Sequence, residues 1–132
     1  MYRIRSLVKN RRGQAMVEMA LALPVLILLL LATMEFGRVL HGLLVVTQAA
    51  REGARSMAVN EGSATAISRI QAAAPSLDPA QMTITINPLT PARGQPVTVT
   101  VVHPVQIITP LISEIFPENP FPVTGTAVMR VE

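Results

Sequence analysis

The chain has 132 residues, half of them hydrophobic, and it contains no cysteine. Its length allows one small domain at most beside a membrane segment, and the lack of cysteine excludes disulfides, thiol catalysis and thiolate metal sites. Aromatic residues make up only 3% of the chain, so a soluble core has to be built from Ile, Val, Leu, Met and Ala.

The positive charge is concentrated at the N-terminus. The net charge is +3, but five basic residues and no acidic residue precede Gly13, which leaves six basic against eight acidic residues from Gln14 onward, a net charge of −2. The five basic residues are Arg3, Arg5, Lys9, Arg11 and Arg12. A basic leader ahead of an apolar run is typical of a segment that is targeted to a membrane. Because the basic residues are confined to this leader, nucleic acid is excluded as a partner. On charge alone, residues 1–13 fit a removable leader and a plain positive-inside flank equally well.

An apolar run from Gln14 to about Thr33 is long enough to cross a bilayer. Its roughly 20 residues rise about 30 Å as a helix, which matches the hydrocarbon thickness. Residues 31–35 form a poor signal-peptidase site, so we expect the span to be retained, with the N-terminus in the cytoplasm and the rest of the chain outside. Pro24 lies inside the run and predicts a kink or a weak turn.

The helical pattern continues beyond the span. No proline occurs over residues 35–58, and apolar or small residues recur at intervals of three and four. We therefore predict one helix from about Gln14 to Val59, ended by Gly62 in a left-handed cap. The predicted one-sided stripe consists of Leu40, Leu43, Leu44, Thr47, Ala50, Ala54 and Met57.

Pairs of opposite charge and many small residues characterise the second half of this helix. Glu35 and Arg38 are three residues apart, as are Glu52 and Arg55, so each pair can interact on a helix surface. The small residues are Gly37, Gly42, Ala49, Ala50, Gly53 and Ala54. Because Gly costs about 1 kcal/mol relative to Ala in a helix interior, these residues indicate close approach, either by other helices or by the protein's own globular part.

The remaining residues predict a small αβ domain. A second helix is expected from Ser63 or Ala64 to Ala74, where Pro75 ends it. Residues 82–86 and 97–101 alternate apolar and threonine side chains, which is typical of an antiparallel strand pair. Weaker patterns predict an edge or third strand at 124–131 and one helical turn at 111–116.

The predicted fold class is α+β, with a long N-terminal transmembrane helix that extends into a small C-terminal αβ head with a short antiparallel sheet. Four ranges are predicted: a basic cytoplasmic leader at 1–13, a transmembrane segment at 14–34, a periplasmic extension of the same helix at 35–60, and a periplasmic head at 61–132.

No residue pattern predicts an active site. His41 and His103 have no Asp, Glu or Cys at ligand spacing, so we expect neither metal nor cofactor. Glu114 and Glu118 form a carboxylate pair in a proline-rich segment, where solvation is the better explanation. The sequence therefore favours a protein that is not an enzyme.

Gly13 and Glu18 stand out at the edge of the span. A protease at the cytoplasmic membrane face needs a residue without a side chain before the bond, and cleavage after Gly13 would make Gln14 the new N-terminus. Glu18 would then lie one helical turn from that terminus. A carboxylate beside lipid is costly, and pairing with the new amine of a neighbouring helix would offset the desolvation of both groups.

These residues resemble the TadE-like pseudopilins, or minor pilins, of tight-adherence (Tad/Flp) pilus systems. The likeness runs from Arg12 to about Val59, and its matching motifs are Arg12-Gly13-Gln14-Ala15-Met16-Val17-Glu18, Glu35-Phe36-Gly37-Arg38 and Gln48-Ala49-Ala50-Arg51-Glu52-Gly53-Ala54-Arg55. Met19 stands where the pseudopilin motif usually has an aromatic residue.

The resemblance implies cleavage after Gly13 by a prepilin peptidase, with Glu18 as the glutamate used in pilin assembly. It implies a structural or assembly role in the pilus, in adherence, biofilm formation or secretion. The implied partners are the peptidase, other pilins and pseudopilins, the Tad inner-membrane platform and membrane lipid, at the bacterial inner membrane. Two alternatives remain: an uncleaved membrane-anchored interaction module of an envelope complex, and a secreted enzyme with a removable signal.

Overall fold

A computed structural model describes residues 11–132, and Arg3, Arg5 and Lys9 of the basic leader lie outside them. Helix α1 covers Arg11–Ala58 and contains Pro24. One helix across the predicted span and its extension is therefore confirmed. The described residues fall into two compact units, divided between Met34 and Glu35.

The first unit consists of the apolar part of α1. Its large hydrophobic side chains are exposed, from Met16 to Met34. By length and composition, the helix that contains them is able to cross a membrane. Side chains of this kind have no favourable environment in water, so they require lipid or other apolar helices around them.

The second unit combines helices with a three-stranded antiparallel sheet, which confirms the α+β class. After α1 come helix α2 (Ser63–Ala73), a 3₁₀ turn (Pro79–Gln81), strand β1 (Thr83–Asn87), strand β2 (Pro96–Val105), the short helix α3 (Pro110–Ser113) and strand β3 (Phe121–Arg130). The strand order is β1-β2-β3, so β2 lies at the centre and β3 at an edge.

Strands β2 and β3 are longer than the alternating pattern predicted. They pair over ten residues each, and the register places Pro104 opposite Pro122. Neither proline has an N–H, so this pair fits a position of the antiparallel ladder where facing residues exchange no hydrogen bonds. The two prolines therefore permit the longer ladder, although singly each one argues against a strand.

The core of the second unit lies between the sheet and the helices. Alternate residues of β2, namely Val97, Val99 and Val101, are fully buried. The same buried cluster includes Val46 from α1 and Ile70 from α2. Because strand side chains alternate between faces, one face of β2 supplies the core while its threonines lie on the other.

Only the second half of the predicted stripe on α1 is buried. Leu40, Leu43 and Leu44 are exposed, and Val46 and Ala49 are buried in their place. The reason is steric, because the side of α1 that meets the sheet carries small residues. A Cβ at Gly125 of β3 would lie 2.5 Å from the backbone carbon and oxygen of Val46, a separation that leucine side chains between helix and strand would prevent.

Most of the small residues on α1 pack against the protein's own globular part. Ala49, Ala50 and Ala54 are fully buried in the protein's own core. A Cβ at Gly53 would lie 2.5 Å from Cδ1 of Ile70, and one at Gly42 would lie 3.0 Å from Cγ2 of Val105. These residues therefore serve the protein's own globular part. A Cβ at Gly37 would meet no described atom within 4 Å.

The end of α1 differs from the predicted cap. Asn60 has φ 62°, its N–H donates to the carbonyl of Met57, and the N–H of Glu61 donates to the carbonyl of Ser56. These bonds define a Schellman motif with Asn60 as the left-handed residue. Gly62, with φ 89°, instead precedes α2 as its N-cap. The prediction located the stop correctly but assigned the cap to the wrong residue.

Gly125→Ala is expected to destabilise the second unit, because the added Cβ would meet Val46 backbone atoms at 2.5 Å. Forced overpacking of this kind typically costs about 1–3 kcal/mol. Thermal unfolding of the full chain in detergent, followed by circular dichroism, measures the loss. Gly37→Ala is the matched control, since its Cβ is unobstructed by any described atom and Ala is the better helix former by about 1 kcal/mol. Equal melting temperatures for the two variants would contradict the prediction.

Candidate functional site

The Gly13–Glu18 motif lies in the first turns of α1. The side-chain amide of Gln14 donates a hydrogen bond of 3.0 Å to Oε1 of Glu18. The two residues are four apart, which brings their side chains to one side of the helix. Gln14 and Glu18 are exposed, so the carboxylate remains accessible to a further partner.

Apolar side chains surround this carboxylate along the chain. Met16, Val17 and Met19 are all exposed. If this part of α1 enters lipid or a bundle of helices, Glu18 becomes a charge in an apolar environment, where it requires a cationic or hydrogen-bonding partner. Chemically, the motif is thus suited to pairing with a cation.

A second carboxylate, that of Glu35, is buried in the other unit, and the residue is only 3% exposed. Its Oε1 accepts hydrogen bonds from the N–H of Ile108, the N–H of Thr109 and the hydroxyl of Thr109, each 2.9 Å long. Its Oε2 lies 3.3 Å from Nη1 of Arg38. We call this arrangement the Glu35 clamp. It attaches the segment between β2 and α3 to the side of α1.

The protonation of Glu35 follows from these contacts. Burial raises the pKa of the carboxyl, but the hydrogen bonds from Thr109 and Ile108 and the charge of Arg38 outweigh burial and hold the pKa of Glu35 below its ordinary value of 4.5. Charge-assisted hydrogen bonds to backbone N–H groups commonly have this effect. Glu35 is therefore ionised at neutral pH.

Asn119 secures the same segment from its other side. Its side chain accepts from the N–H of Ile107 at 3.1 Å and donates to the Ile107 carbonyl at 3.2 Å. Together with Gln106, Ile108 and Pro120, these two residues line a small pocket of about 340 Å³. The pocket is open to solvent, and its residues include no titratable side chain.

The family motif at residues 35–38, called here the first family motif, has a buried and an exposed part; the second family motif is the one at residues 48–55. The predicted pair of Glu35 with Arg38 is present, whereas Phe36 is exposed. Sequence reasoning missed the main partners of Glu35, since Ile108 and Thr109 are 73 and 74 residues away in the chain. No local pattern could have indicated them.

The second family motif connects α1 to α2. Glu52 lies 4.0 Å from Arg55, as predicted, and also 3.4 Å from Arg69 of α2. Gly53 is buried against Ile70, while Arg51 is exposed. Gly53 and Glu52 therefore have structural roles in the packing of the two helices, and Arg51 remains available to solvent.

Glu61 extends this charged cluster. Its carboxylate accepts a hydrogen bond of 2.6 Å from the hydroxyl of Ser56 and forms an ion pair with Arg69 at 2.7 Å. The hydrogen bond from Ser56 has the largest effect and lowers the pKa of Glu61. Burial opposes it, and the charge and hydrogen bond of Arg69, with the charge of Arg55, lower the pKa further. The cluster is a partly exposed ion-pair network, in which each single pair contributes little.

The two histidines form no metal site. His41 lies 3.4 Å from the hydroxyl of Ser76. His103 is buried in β2, its Nδ1 has no hydrogen-bond partner among the described residues, and burial lowers its pKa despite the opposing charge of Asp78. Within the described part of the chain, no three His, Cys, Asp or Glu residues are arranged to hold a metal ion. Glu114 and Glu118 are exposed.

A family model described as TadE-like protein matches residues 13–55, about a third of the chain. The match includes Gly13, Glu18 and both family motifs, and it confirms the resemblance predicted from the sequence. It supports a component related to the Tad pilus and pilus-related protein partners. The family is structural and is not known for enzymes. Among curated proteins and among solved structures, no match to the chain was found.

Glu35→Ala is expected to release the segment between β2 and α3. Without the carboxylate, the N–H groups of Ile108 and Thr109 lose their acceptor in a part-buried site, at a cost of at most roughly 1–3 kcal/mol, the figure for a fully buried group left unsatisfied. Amide hydrogen exchange of the full chain in detergent should show faster exchange at these two residues. Glu114→Ala, which removes an exposed carboxylate just after α3, is the control. Unchanged exchange in Glu35→Ala would contradict the clamp.

The pH dependence of the melting temperature distinguishes the contribution of the Glu35 charge from the contribution of its side-chain packing. Because the folded-state pKa lies below the unfolded value of 4.5, the stabilisation by the carboxylate is complete above pH 4.5 and is lost as the pH falls through the folded pKa. The isosteric Glu35→Gln keeps an acceptor but has no charge. Its deficit in melting temperature relative to the unsubstituted chain should therefore be present at pH 7 and shrink below pH 4.5.

Proposed function

We propose, from the TadE-like match over residues 13–55, that this chain is a pseudopilin: a structural or assembly component of the Tad/Flp pilus. A prepilin peptidase removes residues 1–13, and the mature chain acts in adherence, biofilm formation or secretion without enzymatic activity. The observation that carries the proposal is the exposed apolar helix with the accessible carboxylate of Glu18 one turn from Gln14.

The membrane position follows from length and charge. Residues 14–34 are enough to cross a hydrocarbon layer of about 30 Å. Five basic residues precede Gly13 and only one, Arg38, follows the span closely, which favours a cytoplasmic N-terminus. The second unit then faces the periplasm, and the protein is a single-pass component of the bacterial inner membrane.

Processing at Gly13 fits the local chemistry. Gly13 has no side chain to obstruct a protease, and the basic residues before it keep the cleavage site at the cytoplasmic face. Cleavage creates an α-amine on Gln14, next to the turn that carries Glu18. The chain after cleavage has a net charge of −2, since the leader contains the whole positive excess.

Glu18 is proposed as the residue that aligns the helix with its neighbours. Pilins and pseudopilins packed side by side bury the apolar part of α1, and the carboxylate then needs a cation. The new amine of a neighbouring subunit is suitable, because removal of either charge leaves the other buried without a partner, at a cost of about 3–5 kcal/mol. Other partners are the prepilin peptidase, the Tad inner-membrane platform and lipid.

Cleavage after Gly13 is expected in cells with an intact prepilin peptidase. Mass spectrometry of the membrane-extracted protein should find Gln14 as the N-terminal residue. Gly13→Leu, which adds a bulky side chain beside the bond, should retain the leader. Recovery of Met1 alone from the unsubstituted chain would favour the uncleaved interaction module, and a new terminus near Ala32 would indicate a removable signal.

Glu18→Ala is expected to leave cleavage intact and to impair pilus assembly, because the neutral side chain cannot hold the amine of a neighbour. Pilus-dependent surface adherence and co-purification with other pilins measure the effect. Glu118→Ala, an exposed carboxylate in the second unit, is the matched control and should behave like the unsubstituted chain. Normal assembly in Glu18→Ala would remove the role assigned to Glu18.

A further inference from the structure

One segment of the second unit exposes an unusual number of large aliphatic side chains. Ile108, Leu111 and Ile115 are 69%, 60% and 75% exposed, whereas Ile112 between them is 5% exposed. We call the first three residues the apolar loop. Leu111 and Ile115 are four residues apart around α3, a spacing that suits one side of a helical turn. Clustered exposed apolar side chains mark a surface that is covered in the working protein.

The Glu35 clamp holds the start of the apolar loop against Glu35 of α1. The N–H groups of Ile108 and Thr109 are 2.9 Å from the Glu35 carboxylate, and Glu35 directly follows the last residue of the predicted span. The loop is therefore held beside Glu35, the first residue after the predicted span.

We propose that the apolar loop, together with Phe36, inserts into the interface of the bilayer leaflet from which α1 emerges. The proposal rests on the membrane anchoring in the proposed function and adds a second, non-spanning contact with lipid. Phe36 is 61% exposed and lies next to Glu35, and Phe, like Leu, is a common residue on the apolar side of segments that lie in the membrane interface. The protein is then held at the membrane surface by a loop as well as by a helix.

The backbone of the loop is suited to a site with little water. In lipid, each backbone polar group has to be satisfied within the protein. Hydrogen bonds engage the N–H groups of Ile107, Ile108, Thr109, Ile112, Ser113 and Ile115. Pro110, within the same stretch, has no N–H to satisfy. The loop can thus bury its aliphatic side chains without exposing most of its donors.

Charge favours a particular kind of lipid contact. Residues 106–120 contain Glu114 and Glu118 and no basic residue, so attraction to anionic headgroups cannot hold the loop. Insertion has to come from apolar burial, which zwitterionic lipid also provides. Arg38, on α1 beside Glu35, is exposed and has a long side chain that can reach headgroup phosphates.

The chain contains no tryptophan, so a single substitution introduces a unique fluorescent reporter. Leu111→Trp and Ile115→Trp test the loop in full-length protein reconstituted in phosphatidylcholine vesicles with brominated acyl chains. Leu30→Trp, inside the span, is the positive control. Leu89→Trp is the matched exposed control at 64% exposure, since Leu89 lies in the β1–β2 connection, beyond the opposite end of the roughly 30 Å long β2.

We expect the two loop reporters and Leu30→Trp to lose most of their emission in brominated vesicles relative to unbrominated ones, and Leu89→Trp to retain its emission. Unquenched loop reporters beside a quenched Leu30→Trp would overturn the loop proposal and leave the anchoring intact. Loop emission that is blue-shifted but unquenched would place the loop against protein, either this chain or another copy of it, and would likewise overturn insertion into lipid. An unquenched Leu30→Trp would overturn the membrane anchoring and the loop proposal together.

Discussion

The close approach of the sheet to the small-residue side of α1 determines how the second unit is built. Strand β3 comes so near that Gly125 has no room for a Cβ beside Val46, and fully buried alanines line the helix around this contact. Large side chains are thereby excluded from the buried side of α1. Leu40 and Leu44 have to lie outward, which gives the same helix an apolar outer surface.

Glu18 and Glu35 show how context decides what a carboxylate on α1 does. Glu35 is buried, but three hydrogen bonds and Arg38 compensate its charge, so it is a structural residue with a lowered pKa. Glu18 is exposed and has only the neutral amide of Gln14 as a described partner. A carboxylate that is paired with a cation in its own chain needs no further partner. A carboxylate bonded only to a neutral donor can still form an ion pair with a cation of another molecule. The second case suits an assembly contact.

The sequence predicted the local features well and the long-range ones poorly. The continuous helix, the α2 helix, the strand pair and the Glu35–Arg38 and Glu52–Arg55 contacts depend on spacing within a few residues, and the structure contains each of them. The buried side of α1 coincides with the predicted stripe only in its second half, because hydropathy ranks leucine above alanine while the position of the sheet requires the smaller residue. The extension of β2 past Pro104 depends on a proline opposite it, and the Glu35 clamp depends on residues more than 70 positions away. Neither leaves a local pattern.

In the function proposed for this chain, electrostatics couples cleavage to assembly. Before cleavage, the residue that faces Glu18 across one turn is Gln14, whose neutral amide compensates the carboxylate only partly. In the proposed topology, the basic leader would hold the N-terminus at the cytoplasmic face, where the carboxylate would stay hydrated. Removal of the leader takes away five positive charges and creates one amine at the apolar end of the helix. Two opposite charges that are paired cost less free energy to bury in an apolar environment than two separate charges. The processed helix is therefore expected to pack laterally in register with a second processed helix. An unprocessed chain lacks that amine, so processing itself can determine which subunits enter the assembly.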